Sequence, residues 1–167
     1  MSTGFGTAPA PIRPDLTYQK IRAEHAVSAG ASWFLWIAGL SIVNSIIGMA
    51  GGGVHFIVGL GVTQVVDALA HQAGSSGIVL DFIINGFVAG IFVIFWNFAK
   101  KGQSWAFIIG MVLYALDGLL LLSFKDVFSV GFHAYALFRI YSGLKAVPQL
   151  QKVQEASLPV GAPIVPR

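Results

Sequence analysis

Asp67 and His71 stand one helical turn apart in TQVVDALAHQ, residues 63–72. In a soluble enzyme such a pair would suggest a metal ligand set or an acid–base couple. Asn44, Asp81, Asn85, Asp117, His133 and Arg139 each interrupt an otherwise apolar run. Polar and ionisable groups in such runs are costly when buried in lipid, and are read by default as functional or as paired. They could relay protons, bind a cation, coordinate a metal or simply bond helices together. Which of these applies depends on where the chain places them.

The chain as a whole reads as membrane. Of its 167 residues 56% are apolar and only 10% are charged, with a mean hydropathy of +0.77. A soluble domain carries about 25% charged residues. The formal net charge is +3, but no Lys or Arg occurs between Arg22 and Lys100, so there is no clustered basic patch for nucleic acid. With no cysteine, disulfides, thiolate metal sites and cysteine nucleophiles are excluded. The first apolar run follows Arg13, Lys20 and Arg22 and ends in GMAGGG, in the order a secretory signal would show. It is about twice the length of a signal core, starts late and contains Asn44, so it reads as a retained membrane helix.

Runs of about 20 apolar residues match the hydrocarbon thickness for a helix. Residues 28–49, 78–99 and 103–122 satisfy this, and 127–147 is more polar but long enough. Residues 54–71 are ambiguous. If only the four runs cross and the N-terminus is inside, Arg13, Lys20, Arg22, Lys100, Lys101, Lys145, Lys152 and Arg167 all lie in the cytoplasm, leaving Lys125 outside. A fifth crossing would put Lys100, Lys101, Lys145, Lys152 and Arg167 outside, against the positive-inside rule. The same four-span arrangement places Trp33, Trp36, Trp96, Trp105 and Tyr141 toward the inner ends of their helices, where headgroup-seeking aromatic rings belong.

In the remaining segment His55, Gly59, Thr63, Asp67 and His71 repeat every four residues, with Ile57, Val58, Val62, Val65, Val66 and Leu69 on the other side. This pattern predicts an extracytoplasmic amphipathic helix between GGG at 51–53 and GSSG at 74–77. It would lie in the interface, or re-enter the membrane only if its polar stripe meets protein or water. Its simplest reading is a solvated face. Residues 1–27 form a cytoplasmic N-terminal segment with a short helix over 16–27, and the proline-rich 148–167 form a flexible cytoplasmic tail.

Counted from the outer helix ends, Asn44, Asn85, Asp117 and His133 fall roughly 8–11 Å below the surface, with Asp81 one turn above Asn85. One polar side chain from every span thus shares a layer. Three readings follow. The layer is helix glue, with Asp117 paired to Arg139 because the two side chains lean toward each other, and with Tyr114 and Tyr135 as added hydroxyl partners. Or it is a proton or cation path, for which four short spans leave little aqueous room. Or it is the centre of a metal-dependent intramembrane hydrolase, although HExxH and GxSxG are both missing from the sequence. Gly86 and Gly90, and Ser41 and Ser45, supply small-residue spacings for close helix approach.

The expected fold is an all-α integral membrane protein: a four-transmembrane-helix bundle over 28–147, both termini cytoplasmic, with one outer amphipathic or re-entrant helix. The expected function is that of a non-enzymatic accessory or scaffold subunit in a bacterial inner membrane, with a transporter component second and the hydrolase third. The expected partners are the lipid bilayer and either a second copy or a larger membrane complex, and no cofactor, metal or nucleic acid is expected.

Overall fold

The computed structural model describes residues 14–49, 60–62, 65–66 and 75–157. Four long helices account for most of these: α1 (Pro14–Met49), α2 (Ser75–Ala99), α3 (Ser104–Ser123) and α4 (Val127–Ala156). The described residues contain no strand. Three helices contain stretches long and apolar enough to cross a membrane: Asp15–Ile47 in α1, Phe82–Ala99 in α2, and α3 in full.

Neighbouring helices run antiparallel. Ser45 of α1 meets Asn85 of α2, while Phe34 of α1 meets Phe92 and Phe95. Phe98 of α2 meets Trp105 of α3, and Phe92 meets Tyr114. His133 of α4 stacks on Tyr114, and Gly143 faces Phe107. The chain therefore runs up, down, up and down, with α1 and α4 closing the bundle.

The seams follow a heptad rhythm. Along α1 the buried positions include Ala23, Val27, Gly30, Phe34, Ile37, Ser41 and Asn44, and along α4 Ser129, His133, Ala136, Ile140, Gly143, Val147 and Leu150. Alternating steps of three and four residues keep one stripe facing its partner, as in left-handed helix pairs. Where α1 crosses α4 the backbones nearly touch: a Cβ added to Gly30 would lie 2.5 Å from Gly143 Cα. Phe34 anchors the centre, with ring centroids about 6 Å from those of Phe92, Phe95 and Phe107.

Two turns set the register. After α2 the chain reverses through Gly102 (φ 77°), with Gln103 N–H donating to Phe98 O at 3.3 Å, a Schellman-type closure that glycine accommodates without strain. After α3 it turns through Lys125 (φ 60°) to Asp126, which caps α4 by accepting from Ser129 N–H at 3.1 Å.

Both ends of the bundle differ from the expected boundaries. α1 is one continuous helix of 36 residues, with no break between 16–27 and the first span. At 1.5 Å per residue it is about 54 Å long, well beyond the ~30 Å of hydrocarbon. α4 continues through Pro148 to Ala156, where a flexible tail was expected from 148. Proline removes one backbone donor and ordinarily kinks a helix. Here Val147 and Leu150, on either side of it, share a core with Ala23 and Val27, and that packing outweighs the local penalty. The tryptophans also divide. Trp96 lies under Lys100 Nζ (3.8 Å to the ring centroid) and Trp105 packs on Phe98, both at the α2–α3 turn. Trp33 instead packs on Phe132 and Tyr135, in the half of α4 nearer the α3–α4 turn.

Candidate functional site

Asp117 is the centre of the buried polar chemistry. It lies on the α3 face that also buries Tyr114, Gly118 and Leu121, spaced so that all four point into the bundle. Its carboxylate gathers three donors or partners from two other parts of the chain. Oδ2 accepts from Gly61 N–H at 2.7 Å and Oδ1 accepts from Val62 N–H at 2.8 Å. His133 Nε2 is 2.9 Å from Oδ2. Leu60 and Gly61 are buried, and residues 61–62 and 65–66 are helical, so Asp117 serves as a cap supplied from a distant helix.

Gly61 makes that approach sterically feasible. A Cβ there would come within 2.7 Å of Leu121 Cγ and 3.3 Å of Asp117 O. Any larger residue would push the segment off α3 and lengthen both carboxylate bonds.

His133 is fixed on three sides. Ser129 O accepts from its Nδ1 at 2.8 Å, so Nδ1 carries a hydrogen. The ring stacks on Tyr114 with centroids 4.1 Å apart and planes 14° from parallel. Gly118 lies beneath it: a Cβ there would sit 3.3 Å from the ring. With Nδ1 committed as a donor, the contact with Asp117 has two forms: imidazolium with carboxylate, or neutral imidazole with carboxylic acid. In both, one proton lies between Nε2 and Oδ2 and the pair carries no net charge. Gly61 N–H and Val62 N–H bind an ionised acceptor more strongly than a neutral one.

The network continues to the α3–α4 turn. Ser129 N–H and Oγ both donate to Asp126, the latter at 2.5 Å. These bonds, the Oγ bond foremost, hold the Asp126 carboxyl below the usual carboxylate range. A line of contacts thus runs from Asp126 through Ser129 and His133 to Asp117 and the 60–62 backbone.

The remaining residues singled out from sequence divide among other surroundings. Asn85 Nδ2 donates to Ser45 Oγ at 2.8 Å, joining α2 to α1, and Ser41 Oγ donates to Ile37 O at 2.8 Å. Asn44 is buried on the same α1 face. The expected Asp117–Arg139 pair does not form: Asp117 is taken by His133 and the 60–62 backbone, while Arg139 is exposed on the outer side of α4. The tilt of the two side chains toward one another could not reveal that they sit on different faces. Tyr135 is likewise exposed and packs on Trp33 instead. Gly86 and Gly90 would meet nothing within 4 Å if each carried a Cβ, so their spacing is not used inside the bundle. His55, Thr63, Asp67 and His71, and the side chain of Asp81, lie outside the described residues. Among the described residues no group of three or more His, Asp or Glu is placed to hold a metal ion.

Sequence reasoning missed the principal partners of Asp117. Backbone N–H groups carry no residue signature, and the only available sign was a glycine, Gly61, inside an apolar stretch. No protein-family model, curated protein or solved structure matches this chain.

Proposed function

We propose that the protein is a small multi-pass membrane protein acting as a non-enzymatic accessory or scaffold subunit of a membrane complex. The observation that carries this reading is the role of Asp117: both carboxylate oxygens bond the 60–62 backbone, and one also bonds His133, so the most costly buried group works as a fastener. The outward faces of the helices supply the complementary feature, broad apolar surface for lipid or a neighbouring subunit, including Ile83, Phe87 and Ile94 on α2.

The topology belongs to the same proposal. α4 lies beside α3 along its whole height, from Leu150 near Gly102 to His133 near Gly118. If α3 crosses the bilayer, α4 crosses with it. Four crossings put Lys100 and Lys101 on the cytoplasmic side with both termini, Lys125 opposite, and the 54–71 segment outside. A second reading, a proton-conducting or cation-transporting component, draws support from the direct contact of two buried titratable groups, His133 Nε2 and Asp117 Oδ2, 2.9 Å apart.

Gentle purification from the native membrane tests the choice. A subunit should emerge in a particle with a stoichiometric second protein. A chain that emerges alone and supports proton flux in proteoliposomes, abolished by Asp117→Asn, would replace this reading with the transporter. Because the sequence has no cysteine, single cysteines at Lys101 and Lys125 report sidedness directly and should be labelled from opposite faces.

A further inference from the structure

Between α2 and α3 the bundle leaves a groove of about 360 Å³. Val88 and Ile91 form one wall, Leu113 and Leu116 the other, and Leu60 and Val62 close it where the 60–62 segment crosses. Leu113 and Leu116 are 42% and 57% exposed, so the trough opens sideways, toward the region lipid would occupy. Among the described residues Asp117 is the one ionisable residue in the lining, and it is itself 8% exposed. An apolar cleft of this size with one well-placed polar group has the general form of a small-molecule site.

The state of Asp117 narrows the ligand. A carboxylate offers about four acceptor positions. Oδ2 uses two, for Gly61 N–H and His133, and Oδ1 uses one, for Val62 N–H. Counting contacts among the described residues, one acceptor position remains on Oδ1, so a ligand there must bring a donor. Because Asp117 and His133 together carry no net charge, an ammonium group would enter a desolvated site without a counter-charge. A carboxylate head would meet an acceptor. A hydroxyl satisfies both conditions.

We propose that this groove binds a neutral, hydroxyl-bearing amphiphile drawn from the bilayer, its hydrocarbon chain lying between α2 and α3 and its hydroxyl donating to Asp117. The site is independent of whether the protein serves as a subunit or a transporter.

The test uses the full chain in phosphatidylcholine vesicles and three photoreactive probes of equal chain length, each with a diazirine in mid-chain: a primary alcohol, a fatty acid and a primary amine. Label from the alcohol should concentrate at residues 88–91 and 113–116 and saturate. One hydrogen bond to a charged acceptor corresponds to a preference of about ten-fold over the acid or amine. Unlabelled alcohol should compete it away. Leu116→Trp, at a lipid-facing position that tolerates bulk, should fill the trough and abolish the label while the protein stays folded. Asp117→Asn, if it folds, should lose discrimination among the three heads. Equal labelling by all three probes, or unsaturable label spread over every outward helix face, would overturn the proposal.

Discussion

Replacing Asp117 by Asn tests the fastener most directly. The substitution preserves shape but turns one acceptor oxygen into an NH2 donor. If the amide oxygen takes the Oδ2 position, Val62 N–H faces the NH2. If it takes the Oδ1 position, Gly61 N–H does. His133 favours the second arrangement, since with Nδ1 donating to Ser129 O its neutral ring accepts from the NH2 through Nε2. One buried backbone N–H is therefore stranded, at about 1–3 kcal/mol, and the two surviving bonds fall from charge-assisted to neutral strength, at about 1 kcal/mol each. The sum is a loss of about 3–5 kcal/mol, the range found on breaking a buried pair. Reversible unfolding in mixed micelles measures that loss, and hydrogen exchange at Gly61 and Val62 localises it. In the cycle with His133→Phe, that second substitution should cost less in the Asp117→Asn variant than in the parent protein, because there His133 loses only a neutral bond and strands no carboxylate. A loss below about 1 kcal/mol with unchanged exchange at Gly61 and Val62 would refute the idea that this carboxylate holds the segment.

Two further predictions concern packing and capping. Gly30→Ala places a Cβ 2.5 Å from Gly143 Cα, where only backbone could yield, and should cost about 3 kcal/mol or break the α1–α4 seam. Gly39→Ala, which meets nothing within 4 Å, should be neutral or stabilising by up to about 1 kcal/mol, so the pair of melts separates packing from propensity. Asp126→Ala removes the α4 cap and should cost about 1 kcal/mol near neutral pH. Its folded carboxyl titrates below the usual range, so protonation opposes the fold. The contribution is complete above about pH 4 and disappears as pH falls through the lower folded value, leaving parent and variant equally stable in acid.

How much of this was legible beforehand follows from the kind of signal each feature leaves. Helix number and approximate extent were legible in residues 78–99 and 103–122, because a hydrocarbon-length apolar run is visible without knowing its neighbours. The ends of α1 and α4 were not. Leu150 and Pro148 look like tail until Ala23 and Val27 are placed against them. The inward face of each helix was also hidden, since a segment apolar all round shows little periodicity and its buried stripe is distinguished by small size as much as by hydrophobicity. Gly30 and Gly143 mark that stripe in retrospect.

From sequence alone it follows that Asp117 and His133 are costly in their surroundings and need partners, because the cost of an unpaired polar group in an apolar segment depends on composition and not on fold. Which partners they take is a property of the assembled bundle. The rotation of α3 against α4 turns Asp117 toward His133 and leaves Arg139 outside, and the approach allowed by Gly61 brings two backbone N–H groups to the same carboxylate. A choice among partners is settled by distances of a few tenths of an ångström, and those exist only once the helices have packed.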